Sequence, residues 1–206
     1  MIGLLQNSLP AFLIVFPGLL LAISLHELAH CWVADQLGDP TPRAKGRLTL
    51  DPRAHLDPLG VVAILFTPFG WGKPAPYDPY NLKDPVRDSA LIAVAGAVVN
   101  LIIAIILAII LRLTNFPFLW LNFALSQLLT TNVLLAVFNL IPVAPLDGSK
   151  VLSALLPKKT AYEYEKFMDR FGILILLLLI FPTRNGQSPL MLLISPLVNL
   201  IIQILL

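Results

Sequence analysis

Three long apolar runs constrain this chain more than any other feature. Residues 9–34, 89–112 and 118–140 each reach the roughly 20 apolar residues that a helix needs to cross a bilayer. Only 13% of the 206 residues are charged, about half the share of a soluble domain. The expected class is therefore an all-α polytopic membrane protein, one membrane-embedded domain over residues 1–206. The net charge of +2 carries no nucleic-acid signal, and no nucleic-acid partner is expected. Cys31 is the single cysteine, so no intrachain disulfide can form. Residues 1–42 hold no Lys or Arg, so the start lacks the basic region of a signal peptide. The first run is expected to stay as a transmembrane helix, with any kink near Pro17-Gly18 and a stop at Gly38-Asp39-Pro40.

Between the first and second runs lie a polar, basic stretch, an apolar piece at 59–69 and a Gly/Pro-rich loop at 70–85. The alternation of Gly46-Arg47-Leu48-Thr49-Leu50 predicts short strands in the 46–77 region. After the third run, residues 149–156 form a short helix, 158–170 are charged, and 171–182 and 189–206 are apolar. Basic residues choose between topologies. If 59–69 dips and returns while 171–182 crosses, the basic residues from Arg43 to Arg87 and from Lys150 to Arg170 share one side. Only Arg112 and Arg184 then lie opposite, a split of 12 to 2. If 59–69 crosses instead, the split is 6 to 8. The first arrangement is favoured: about five transmembrane helices, a membrane-dipping segment, and the basic side cytosolic. Residues 9–157 then form the core, and 158–206 a C-terminal hairpin whose apolar part is expected to be a movable wall.

His26-Glu27-Leu28-Ala29-His30 lies in the last third of the first run. On a helix, residues four apart share a face, so His26 and His30 can address one ion. Imidazole pairs at this spacing suit zinc, with Glu27 as the base acting on water. Ionisable groups inside an apolar helix are costly and mark function more often than packing. A catalytic zinc keeps three protein ligands and one open position, so a third ligand is needed. Asp147 is best placed, because topology returns it to the same side and Pro142 and Pro145 break the helix before it. Leu146-Asp147-Gly148 is equally ordinary turn chemistry, and the residues alone leave both readings open.

The chain resembles the site-2 proteases, intramembrane zinc metalloproteases. The resemblance rests on His26-to-His30, on Asn139 through Pro142 and Pro145 to Leu146-Asp147-Gly148, on Gly46-to-Gly60 and on Gly70-Trp71-Gly72-Lys73-Pro74. It covers residues 20–157 and is closest to the compact prokaryotic type without PDZ or CBS domains. It implies His26, His30 and Asp147 as ligands of one Zn²⁺ per chain and Glu27 as general base. It also implies that Asn139 holds substrate or the oxyanion. Where the family often has a proline, this chain has Ala97 in Ala95-Gly96-Ala97-Val98-Val99-Asn100.

Two further polar residues are candidates for accessory roles. His55 is a ligand, a gate or a structural group of the polar loop, and Asn100 more often bonds a neighbouring helix. Trp71, Tyr77 and Tyr80 fit an interfacial aromatic belt. The expected reaction is hydrolysis of peptide bonds in transmembrane substrates, at the cytosolic side of the plasma membrane, with the lipid bilayer as surroundings. The rival readings are a metal transporter and an inactive scaffold. A transporter needs polar groups through the full bilayer depth, and here the outer halves of the runs have few. An inactive scaffold is expected to lose Glu27 or a ligand. Oligomeric state is not legible.

Overall fold

Ser8 accepts a hydrogen bond from the Ala11 amide and Pro10 follows it, so the first apolar run opens as a capped helix. The computed structural model describes residues 1–67, 70–114, 116–182, 186 and 188–206. Phe69, the expected end of the dip, and Arg184, part of the charge split, lie outside the described residues. A short helix α1 (Ile2–Asn7) precedes α2 (Leu9–Gln36), which contains Pro17 and stops at Gly38 with φ +106°. That φ favours glycine and ends the helix.

The turn α3 (Thr41–Ala44) and the nine-residue α4 (Pro58–Phe66) follow. At 1.5 Å per residue α4 is about 14 Å long, half of the hydrocarbon thickness. Its flanks meet again: Leu56 and Gly72 form an isolated antiparallel bridge, and the Lys73 amide donates to the His55 carbonyl at 2.7 Å. The chain thus leaves and returns at one place. Then come α5 (Pro85–Leu113), α6 (Leu119–Asn139), α7 (Gly148–Leu155), α8 (Lys158–Ile180) and α9 (Pro189–Leu205).

Helices α2, α5 and α6 pack pairwise, and each is long and apolar enough to cross a membrane. Their packing is that of a protein in lipid. Ala93, Ala97, Ala104 and Ala108 of α5 are buried, as are Ala11 and Ala22 of α2 and Ala124 and Ala136 of α6. Ile102, Ile105, Ile106 and Ile109 of α5 face outward. Small residues inside let helices approach, and large ones outside meet acyl chains. The chain is an integral membrane protein.

Two expectations are not confirmed. Among the described residues three helices, not five, meet the length and hydropathy of a span. Helix α8 starts with Lys158-Lys159 and stays charged to Arg170, and α9 has only 17 residues. Helix α9 nevertheless joins the core: Leu190, Ile194 and Val198 share a buried cluster with Ala104 and Ala108 of α5 and Leu129, Val133 and Val137 of α6, and α9 packs on α6.

The strands expected in 46–77 are not found among the described residues either. Among the described residues the Leu56–Gly72 bridge is the whole of the β structure. Gly46 turns at φ +65°, the Thr49 carbonyl is taken by the His55 side chain, and Asp51, Asp57 and Asp78 each cap a short helical turn. Local capping bonds compete with a ladder, and here they win.

Candidate active site

The last third of α2, the first half of α5 and the end of α6 converge at one end of the bundle. Gly96 makes the closest approach possible, because a Cβ there would stand 2.5 Å from His26 Cε1. His26 Nε2 lies 3.0 Å from His30 Nε2, and the two imidazoles are 3.1 and 3.2 Å from Asp147 Oδ2. These three residues form the possible metal-binding group among the described residues.

The turn reading of Asp147 can now be weighed against geometry. Asp147 precedes α7 but makes no side-chain capping bond. Gly148 is pressed against the end of α6, where a Cβ would fall 2.2 Å from the Leu140 carbonyl oxygen. That contact requires glycine and fixes the preceding aspartate, whose carboxylate turns to the histidines.

Hydrogen bonds fix the tautomers. His30 Nδ1 lies 2.7 Å from the Ile92 carbonyl, which only accepts, so Nδ1 carries the proton. For His26 the logic runs through two amides. The Leu128 carbonyl accepts from Asn132 Nδ2 at 2.8 Å, which turns Asn132 Oδ1 toward Asn100. Asn100 Nδ2 donates to that oxygen at 3.0 Å, leaving Asn100 Oδ1 to accept from His26 Nδ1–H at 2.7 Å. Asn100 and Asn132 are both fully buried. In its neutral form each histidine presents a bare Nε2 to the other and to a carboxylate. Three lone-pair donors then converge, and either a shared proton or a bound cation relieves their repulsion.

The donor chemistry fits zinc, whose tetrahedral ligands at about 2.0–2.1 Å stand about 3.3 Å apart. Partners that orient the outer nitrogen of a ligating histidine are a recurrent part of such sites. If the amide chain orients His26, Asn132→Ala should weaken zinc binding about 10–100-fold, measured by chelator competition. Unchanged affinity would remove Asn132 from the site.

A cavity of about 620 Å³ opens beside the cluster, lined by α2, the 70–77 loop, the end of α6, α7 and α8. Glu27 lines it and, among the described residues, makes no hydrogen bond or ion pair. Asn139 lines it too, one amide N–H held by the Leu135 carbonyl at 3.0 Å. Trp71 and Tyr77 face this cavity, whereas Tyr80 is exposed.

Residues 120–179, from α6 through Asp147 into α8, match peptidase family M50. YwhC of Bacillus subtilis (strain 168), named as a zinc metalloprotease, is 34% identical over 188 residues, covering 87% of this chain and 84% of its own. The chain belongs to peptidase family M50. Rip2 of Mycobacterium tuberculosis, also named as a zinc metalloprotease, is 32% identical to this M50 peptidase over 183 residues, covering 85% of this chain and 70% of its own. The solved site-2 protease from Methanocaldococcus jannaschii shares the fold, with TM-score 0.52 at 24% identity over 99% of this chain and 79% of that one. The site-2 protease resemblance of the motifs thus holds, and the M50 peptidase is a metalloendopeptidase of that type.

His55 is not brought to the cluster. It is fully buried, and its Nε2–H donates to the Thr49 carbonyl at 2.8 Å. Burial holds its pKa below the ordinary value, so it braces the loop as a neutral ring. Asn100 does bond a neighbouring helix, and it bonds His26 as well. Sequence reasoning missed Asn132 and Gly96. An asparagine inside an apolar run was the available signal for the first, since such groups seek partners across helices.

Proposed function

We propose that this M50 peptidase cleaves peptide bonds within or near transmembrane segments of membrane proteins, using one zinc per chain held by His26, His30 and Asp147. What carries this reading is the unpartnered Glu27 carboxylate lining a cavity beside three converging metal donors. A zinc held by His26, His30 and Asp147 would supply Lewis-acid chemistry beside Glu27. Glu27 takes the proton as water attacks the scissile carbonyl and passes it to the leaving amine. Asn139 has one amide N–H left to donate to the oxygen that gains charge. An unwound, extended substrate segment lies along the 70–77 wall, where backbone pairing in the manner of strand addition holds it. The domain works as one unit with its core at 9–157, in the plasma membrane, and the basic side sets the active site toward the cytosol.

The test is purified protein in liposomes with a generic transmembrane substrate and parallel metal analysis. About one zinc per chain and chelator-sensitive cleavage within or beside the membrane segment are expected. Zinc-free protein, or cleavage indifferent to chelation, would refute the reading.

A further inference from the structure

Arg47 is a buried charge that the proposed reaction does not use. It is 5% exposed, and among the described residues no carboxylate pairs with it. A buried guanidinium without an acidic partner is costly, so the groups it does hold identify its role. Its Nη2 donates to the Lys73 carbonyl at 2.7 Å and its Nη1 to the Pro74 carbonyl at 3.1 Å. Its Nε has no partner among the described residues. The planar fork thus takes two consecutive carbonyls, a grip that a lysine ammonium cannot reproduce.

Those carbonyls belong to the cavity wall. The same stretch is tied to the 46–56 arm by the Lys73 amide on His55 and by the Leu56–Gly72 bridge. One residue earlier, the wall presses on Glu27: a Cβ on Gly72 would stand 3.1 Å from Glu27 Cγ and 2.9 Å from Ile23 Cγ2. The arm fails to form a strand because a side chain, rather than a backbone ladder, satisfies the carbonyls of the wall.

We propose that Arg47 is a positioning residue of the protease, fixing the 70–77 wall against Glu27 and thereby the register in which an extended substrate is held. This rests on the proposed proteolytic function. A displaced wall would still leave the metal donors in place, because among the described residues His26, His30 and Asp147 make no hydrogen bond to it.

The experiment compares wild type, Arg47→Gln and Arg47→Lys in liposomes with a transmembrane substrate. For Arg47→Gln, KM should rise about tenfold or more, the change equivalent to losing one charged hydrogen bond. Zinc content and kcat at saturation should stay near wild type, and cleavage should spread to neighbouring bonds by product mass spectrometry. Arg47→Lys, reaching one carbonyl, should lie between. Hydrogen exchange at residues 71–75 should accelerate, with residues 26–30 unchanged.

Wild-type KM with a single cleavage position, or unchanged exchange at 71–75, overturns the proposal. So does loss of zinc together with kcat, which marks a mere fold brace. If Arg47→Gln does not accumulate, Arg47→Lys decides by the same readings. Should wild type cleave no membrane substrate, the functional reading fails instead, and the exchange measurement still tests the clamp.

Discussion

Glu27→Gln should abolish turnover while zinc content stays at the wild-type level. The carboxylate lines the cavity and makes no hydrogen bond or ion pair among the described residues, so an amide of the same shape orphans nothing. Its nearest structural duty is van der Waals contact near Gly72, which glutamine keeps. Glu27 follows His26 by one residue and therefore lies about 100° round the helix from it, off the face that His26 and His30 share. The substitution removes a base and no ligand. General-base catalysis is worth about 10²–10⁴-fold, and a loss at the upper end is expected here, because a glutamine can neither take the proton from water nor return it to the amine. The measurement pairs single-turnover cleavage of a membrane substrate with zinc per chain by mass spectrometry. Appreciable turnover in that variant would sink the base assignment. Zinc loss would place Glu27 among the ligands.

What could be read from the sequence divides along a physical line. The three long helices were legible because the bilayer admits few alternatives to a helix for a run of that length. His26 and His30 were legible because helical spacing fixes a shared face before any tertiary contact forms. Asp147 needed a different kind of information. Between it and His30 lie 116 residues, and what brings its carboxylate to the histidines is the packing of Gly148 on Leu140, which no local pattern encodes. The 46–50 alternation misled for a related reason. Period-two patterning reports which face is apolar, but whether backbone groups pair depends on competing acceptors and donors. Here the His55 ring and the Arg47 guanidinium took those places. Span counting is not confirmed at the C-terminus, where α9 has only 17 residues and shares a buried cluster with α5 and α6. Length alone measures fitness to cross a bilayer and says nothing of fitness to pack on neighbours.

Asp147→Ala should strip the site of zinc as well as activity, and three comparison variants make that result specific. Asp147 Oδ2 stands 3.1 and 3.2 Å from the two histidine Nε2 atoms and provides the only carboxylate of the group. Without it two neutral imidazoles remain, too few for the three protein ligands a catalytic zinc keeps. The affinity loss should exceed the roughly 10–100-fold that follows from altering an outer partner, so Asp147→Ala must fall below Asn132→Ala on one titration scale. The backbone gives no reason for collapse: residue 147 sits at φ −57°, ψ −36°, which alanine adopts freely, and its side chain caps nothing. Asn139→Ala should keep zinc and lower kcat, since its amide lines the cavity but joins no metal donor. His55→Ala should keep zinc near wild type, because that ring bonds the Thr49 carbonyl and is not among the clustered metal donors. Zinc per chain after gel filtration ranks all four variants in one experiment. If zinc follows His55 and ignores Asp147, the third ligand lies in the 46–56 arm and not at the end of α6.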